Sequence, residues 1–235
     1  MKAIEDLAGK GYTVLLEVFS IEAVQQMVDI IRLANRQGAA FRQTADLFAI
    51  RRVMAEIPAL QQLVLTPALL DWVKTLGGKE HFLVKSIYFD KPGASNWFVA
   101  WHQDLTISVD RKHAVPHFGP WTVKQEQFAV QPPVEILENM ITFRIHLDDT
   151  DENNGALKVI PGSHLKQVHR ADTINRDEET ICAVPAGSIM VMKPLLMHAS
   201  GRTTNHRNRR VLHLEFSSMA LPEPLQWAEY LPLNN

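Results

Sequence analysis

His102 and Asp104 stand two residues apart in the stretch Trp101-His102-Gln103-Asp104. Side chains of an extended strand alternate between faces, so an imidazole and a carboxylate at this spacing point the same way. They make two thirds of a 2-His-1-carboxylate facial triad, the ligand set of non-haem Fe(II) oxygenases. The pair alone is a weak pattern, and the third ligand must come from elsewhere among ten histidines. His198 stands out because it lies far along the chain, beside a strand end, ahead of Ala199-Ser200-Gly201. Further on, Arg209 precedes the apolar run Val211-Leu212-His213-Leu214. A guanidinium there can hold a carboxylate bidentately at the base of a pocket, or it can be a strand-end surface charge.

These residues need elements to position them. The run Tyr12-Thr13-Val14-Leu15-Leu16 reads as a strand, and Ser20 as the N-cap of a helix. Val24, Met27, Val28 and Ile31 recur at helical spacing, so the helix covers about 21–36. A second helix is expected over 44–56, and a third through Leu69, Leu70, Trp72, Val73 and Leu76, ended by Gly77-Gly78. Near residue 81 the period changes from 3.6 to 2. Strands are expected over 82–89, 97–109, 141–147, 156–160, 181–184, 188–192 and 210–216, separated by Pro/Gly turns. The segment 110–133 reads as a long structureless loop over the open side of the site, with Trp121 as a pocket wall. The pattern predicts a mainly β chain with flanking α-helices: a double-stranded β-helix (jelly roll, cupin-like) barrel. The whole chain, 1–235, reads as one domain, with helical support over 1–80 and a jelly-roll core over 81–217.

Composition limits the function classes. The chain has 235 residues, 46% of them hydrophobic, and a formal net charge of -2. That gives no overall field toward nucleic acid or an anionic membrane. No apolar run is long enough to insert in a membrane, and the N-terminus does not read as a signal peptide. Cys182 is the single cysteine, which excludes an intrachain disulfide and fits a reducing, cytoplasmic location. It reads as a small buried hydrophobe.

Several stretches together resemble the phytanoyl-CoA dioxygenase (PhyH-like) family of Fe(II)/2-oxoglutarate-dependent oxygenases. They are Trp101-His102-Gln103-Asp104-Leu105-Thr106, Leu147-Asp148-Asp149-Thr150, Asn154-Gly155-Ala156-Leu157-Lys158-Val159-Ile160-Pro161-Gly162-Ser163-His164, His198-Ala199-Ser200-Gly201 and Arg209-Arg210-Val211-Leu212-His213. The run from Asn154 is far more specific than His-x-Asp. The resemblance implies His102, Asp104 and His198 as Fe(II) ligands. It implies Arg209 as partner of the distal carboxylate of 2-oxoglutarate, with Ser200 as helper. Arg210 competes with Arg209 on spacing, but strand alternation turns only one of them inward. The implied reaction hydroxylates a small organic or lipid-like molecule with dioxygen, releasing succinate and CO2. An aspartate at position 104 favours hydroxylation over halogenation, which needs that ligand position vacated for a halide.

Further candidates are less specific. Thr142, Arg144, His146 and Asp148 share one strand face, and Arg144 or His146 can reach cosubstrate or substrate if that face looks inward. Lys85, set mid-strand among apolar residues, is a second candidate for a carboxylate partner. His164 reads as scaffold, and Asn154-Gly155 and Pro161-Gly162 as turns. Two other readings stay open: a cupin-like metal-dependent isomerase or hydrolase without 2-oxoglutarate, and a non-catalytic ligand-binding jelly roll. Neither needs a buried arginine for a cosubstrate.

Overall fold

The chain's local chemistry sets its elements, as a computed structural model describes for residues 1–34, 40–44, 48–94, 97–124 and 127–233. Lys2–Lys10 forms α1, and Tyr12–Leu15 forms β1. Ser20 caps α2 (Ile21–Leu33), its hydroxyl oxygen accepting from the Ala23 N–H at 3.2 Å. The predicted stripe Val24, Met27, Val28, Ile31 is the buried face of that helix. Positions 35 and 36 of the expected helix lie outside the described residues. Strands β2 (Phe41–Gln43) and β3 (Phe48–Arg51) and a short α3 (Val53–Glu56) follow. The helix expected over 44–56 is therefore corrected, with 45–47 outside the described residues. Phe48, Ala49 and Ile50 are all buried, so β3 carries no face alternation that would reveal a strand.

Next come α4 (Ala59–Val64), α5 (Pro67–Leu76) and the long β4 (Phe82–Lys91). Thr66 caps α5, its hydroxyl accepting from the Leu69 N–H. The second half supplies β5 (Val99–His102), β6 (Ile107–Val109), β7 (Trp121–Lys124), β8 (Gln127–Val130), α6 (Val134–Asn139) and β9 (Ile141–His146). It closes with β10 (Leu157–Val159), β11 (Thr180–Cys182), β12 (Ile189–Met192), β13 (His198–Ser200) and β14 (Arg209–Ser217). The segment 110–133 is thus only partly loop, because β7 and β8 pair as a hairpin within it.

The strands form three antiparallel sheets. The largest runs β1-β12-β9-β14-β4-β3-β2, the second β11-β10-β13-β5, and the third β6-β8-β7. The expected closed jelly-roll barrel is corrected: among the described residues no sheet closes on itself, and with its helices the chain is a mixed α/β fold. Alternation along a strand reports which face is buried, not which edges pair, so it cannot distinguish open sheets from a barrel.

One face of the large sheet carries Phe143, Ile145, Val191, Leu212, Leu214 and Phe216 into a core shared with α2, α4 and α5. The rings of Phe143 and Phe216 meet edge to face at 5.4 Å. On the other face Met190 and Met192 pack with Leu157, Val159 and Leu196 of the four-stranded sheet region. Beside this apolar patch the same face turns polar, through Thr142, Arg144 and His146 of β9, and it is there that the sheets enclose the site.

Candidate metal centre

β5 and β13 are antiparallel neighbours, and their register sets His102 directly opposite His198. The two imidazoles lie 4.2 Å apart between centroids. Asp104, two residues past His102, is held by its backbone N–H donating to the Pro194 carbonyl at 2.9 Å. Its carboxylate oxygens lie 3.6 Å from His102 Nε2 and 3.7 Å from His198 Nε2. One ligand atom from each residue falls within 4.8 Å of the other two, the arrangement that can hold a metal ion.

The tautomers suit that task. His102 Nδ1 sits 2.8 Å from the Ala100 carbonyl, and His198 Nδ1 2.9 Å from the Leu196 carbonyl. A carbonyl only accepts, so each Nδ1 carries the hydrogen and each Nε2 keeps its lone pair for a metal. Burial pushes the His198 imidazole down to about 4, so it is neutral at pH 7. Burial acts the same way on His102, but the Asp104 carboxylate outweighs it and raises that pKa. Burial alone would raise Asp104. His198 and His102, with His213 and Lys85, outweigh it and hold the carboxylate ionised far below its usual range. A divalent cation at the two Nε2 atoms would take over the role of balancing Asp104.

Arg209 is 4% exposed and turned inward, while Arg210 is clamped outside by Asp148. Arg210 Nε and Nη2 donate to the two carboxylate oxygens at 2.8 and 2.6 Å. Arg209 Nη1 donates to the Gly155 carbonyl, and its Nε is buried without a partner among the described residues. Gly155 has φ 87°, and a side chain there would crowd the Gly201 carbonyl and Lys91 Nζ, with Arg209 Nη1 in contact beside them. Asn154 holds this turn by donating to the Asp149 carbonyl and accepting from the Asp151 N–H. Burial lowers the Arg209 pKa to about 9, with Arg144 adding repulsion, and the group remains a cation at neutral pH.

Ser200 is buried on β13, on His198's side by alternation. Arg144 is 8% exposed, and its Nη1 lies 3.0 Å from His213 Nδ1. Lys85 donates to Glu215 Oε1 at 2.8 Å. Trp121 packs with Phe118 and Phe128 on the cluster around Ile107 and Val130, and its neighbour Thr122 lines a cavity of about 450 Å³. Lys85 and Thr106 line the same cavity. Asp148 leaves the β9 face to bind Arg210, and His164 Nε2 meets the Ala8 carbonyl of α1, a packing role. The buried Cys182 thiol is pushed up to about 12 by burial. His213 and Glu215 were not singled out from the sequence. Their signal was alternation along β14, which puts them on the Arg209 face.

His102, Asp104 and His198 form a 2-His-1-carboxylate cluster able to hold a metal ion, and Arg209 is a buried, inward-turned cation. Residues 8–211 match the phytanoyl-CoA dioxygenase (PhyH) family. The chain belongs to that family, and it is a non-haem Fe(II)- and 2-oxoglutarate-dependent dioxygenase acting on a small substrate. It is 23% identical over 242 aligned positions to a probable alpha-ketoglutarate-dependent hypophosphite dioxygenase of Stutzerimonas stutzeri, covering 89% of this chain and 75% of the relative. Among solved structures it shares its fold with the apo form of the non-haem monooxygenase ThoJ. The TM-score is 0.72 at 17% identity, over 99% of this chain and 84% of that one. HygX from Streptomyces hygroscopicus, solved with nickel and 2-oxoglutarate, superposes with a TM-score of 0.66 at 14% identity, covering 92% and 86%. No helix among the described residues is long and apolar enough to cross a membrane.

Proposed function

We propose that His102, Asp104 and His198 hold Fe(II), that Arg209 binds the distal carboxylate of 2-oxoglutarate, and that the reaction is hydroxylation of a small molecule. The observation that carries this reading is a cluster of three metal-competent atoms, from buried His198 and half-buried His102 and Asp104, together with a buried guanidinium on β14 whose Nε lacks a partner among the described residues. A buried, unpartnered donor on a cation is costly unless an anion meets it. 2-Oxoglutarate supplies one, with a carboxylate at each end. When bound, Fe(II) and 2-oxoglutarate convert R–H and dioxygen to R–OH, succinate and CO2.

The chain's own residues fix the geometry. The Ala100 and Leu196 carbonyls lock both ligand imidazoles, so each Nε2 is available without a proton shift. Gly155 accepts one arm of Arg209 and so sets the direction of the rest of its fork. Ser200 sits beside His198 as a second hydrogen-bonding group for the cosubstrate. Asp104 occupies the ligand position that a halide would need, which favours hydroxylation. The hypophosphite of the Stutzerimonas relative's name is a very small molecule, in keeping with a small substrate.

The test is dioxygen-dependent formation of succinate from 2-oxoglutarate with Fe(II), without added substrate. Wild type should turn over slowly, and Asp104→Ala and His198→Ala should not. Equal succinate from wild type and both variants would sink the assignment of these ligands. Failure of wild type to bind 2-oxoglutarate in the presence of metal would favour a cupin-like metalloenzyme.

A further inference from the structure

Four residues on adjacent strands of the large sheet form a hydrogen-bonded chain. Lys85 of β4 lies opposite Glu215 of β14, and Arg144 of β9 opposite His213 of β14. Lys85 Nζ donates to Glu215 Oε1 at 2.8 Å, His213 Nε2 lies 2.9 Å from the same oxygen, and Arg144 Nη1 lies 3.0 Å from His213 Nδ1. A guanidinium can only donate, so His213 Nδ1 must be the acceptor. The ring hydrogen is therefore on Nε2 and is given to Glu215. The chain ends on Arg144, which it holds by one arm. Among the described residues, the buried Arg144 Nε has no partner, and neither has Thr142 Oγ1, two residues earlier on the same face.

Charge in this space does not balance without a further anion. The charged side chains acting on Asp104 include Lys85, Arg144 and Glu215. Glu215 is answered by Lys85 in direct contact. Under the reading above, Fe(II) offsets Asp104 and one carboxylate of 2-oxoglutarate, and Arg209 offsets the other. Lys91, donating to the Gly201 carbonyl, lies beside Arg209 at the Gly155 turn and so serves that end. Arg144 is left as a buried cation beside the triad with no carboxylate in contact. Removing a guanidinium from water without a counter-charge is strongly unfavourable. If this face only packed, an apolar side chain would serve at position 144.

We propose that Arg144 receives the substrate's own negative charge, so that the enzyme acts on a small monoanion: a carboxylate or a phosphorus oxyanion. The anion's oxygens meet Arg144 Nε, with the Thr142 hydroxyl as a second donor. The bond to be hydroxylated then lies within a few atoms of the anionic group. His213 and Glu215 are positioning residues, since they act only through Arg144. This inference rests on Arg209 being the cosubstrate's partner.

Calorimetry separates the two assignments. The protein is loaded with Ni(II) and 2-oxoglutarate under nitrogen, in chloride-free buffer. Propionate and dimethylphosphinate are then titrated in, with propionamide as the neutral control. Wild type should bind at least one of the anions and not the amide. Arg144→Gln should weaken anion binding by about 30-fold or more, a size borrowed from truncating a buried charge pair. Its Ni(II) and 2-oxoglutarate affinities should be unchanged, which also shows that it folds. Arg144→Lys should recover part of the anion affinity, because it restores charge without the fork. If wild type binds 2-oxoglutarate but neither anion, or binds propionamide equally well, the proposal is overturned while the dioxygenase reading stands. It is also overturned if Arg144→Gln loses 2-oxoglutarate affinity as severely as Arg209→Gln, since Arg144 would then belong to the cosubstrate. If wild type binds no 2-oxoglutarate at all, both readings fall.

Discussion

Replacing Arg209 with alanine is the perturbation that most directly tests the cosubstrate site. The side chain is 4% exposed, and one guanidinium nitrogen is committed to the Gly155 carbonyl. The remaining arms are what a carboxylate would meet. Truncation leaves that carboxylate inside a buried face, where its charge goes unanswered. The cost is that of leaving one member of a buried charge pair alone, about 2–5 kcal/mol. At about 1.4 kcal/mol per decade this is a loss of roughly 30- to several-thousand-fold in affinity. The assay is calorimetric titration of 2-oxoglutarate into Ni(II)-loaded protein. Arg210→Ala is the matched control, because Arg210 is spent on Asp148 through both carboxylate oxygens. It should lower stability and leave the 2-oxoglutarate affinity within about twofold. Arg209→Lys should fall between wild type and alanine. If Arg209→Ala binds 2-oxoglutarate as wild type does, or if the loss follows Arg210, the reasoning from burial and alternation is refuted.

Other perturbations read other parts of the structure. Asp104→Ala should lower Ni(II) affinity by about 100-fold or more, at least the effect of losing an outer-shell partner; an unchanged calorimetric affinity would remove Asp104 from the site. In the metal-free protein, burial depresses His198 from 6.5 to about 4, so between those pH values the unfolded chain binds a proton that the folded chain refuses. Stability should therefore fall as the pH drops from 6.5 to 4, with Asp104 acting the same way lower down, while His102, shifted upward, adds stability as the pH falls toward 6.5 from above. Thermal melts should show this slope shrinking in His198→Phe, and a slope of equal size in the variant would count against a buried neutral His198. Gly187→Ala should cost more than the usual loop substitution, because φ is 78° and a Cβ would strike the Phe19 carbonyl. Melting temperatures matching wild type would show that this turn relaxes freely.

The local parts of the site could be read from the sequence. His102 and Asp104 do converge, although the strand expected over 97–109 is corrected: β5 ends at His102 and Asp104 lies in the segment before β6. Arg209 and Arg210 had to face opposite sides, so alternation allowed only one of them to be buried, and it is Arg209. The Ser20 cap and its stripe located α2 in the same manner. The parts that failed depend on contacts between distant segments. β3 is buried along Phe48, Ala49 and Ile50 and shows no alternation, so its sequence does not distinguish a strand from a helix. The β7–β8 hairpin lies in a stretch whose prolines and charges suggested open loop. Open sheets instead of a barrel follow from edge pairing, which a strand's own sequence does not encode. The Lys85–Glu215–His213–Arg144 chain spans three strands, and only their mutual register makes four scattered residues neighbours.

That His102 faces His198 across a strand pair has a consequence for how this enzyme can vary. The ladder between β5 and β13 shifts register just past the histidines: His198 faces His102, but Ser200 faces Val99, so β5 carries one extra residue there. Such a bulge pins the alignment of the two strands. A slip by one position would turn His102 to the opposite face, away from His198, and shift the segment that carries Asp104. Insertions and deletions between residues 99 and 104 should therefore act as an all-or-none switch on metal affinity. A library of single-codon deletions there should contain folded proteins that bind no metal, and none that bind it at intermediate strength. Point substitutions in the same stretch would instead grade the affinity, so the two kinds of genetic change would leave different marks on the descendants of this chain.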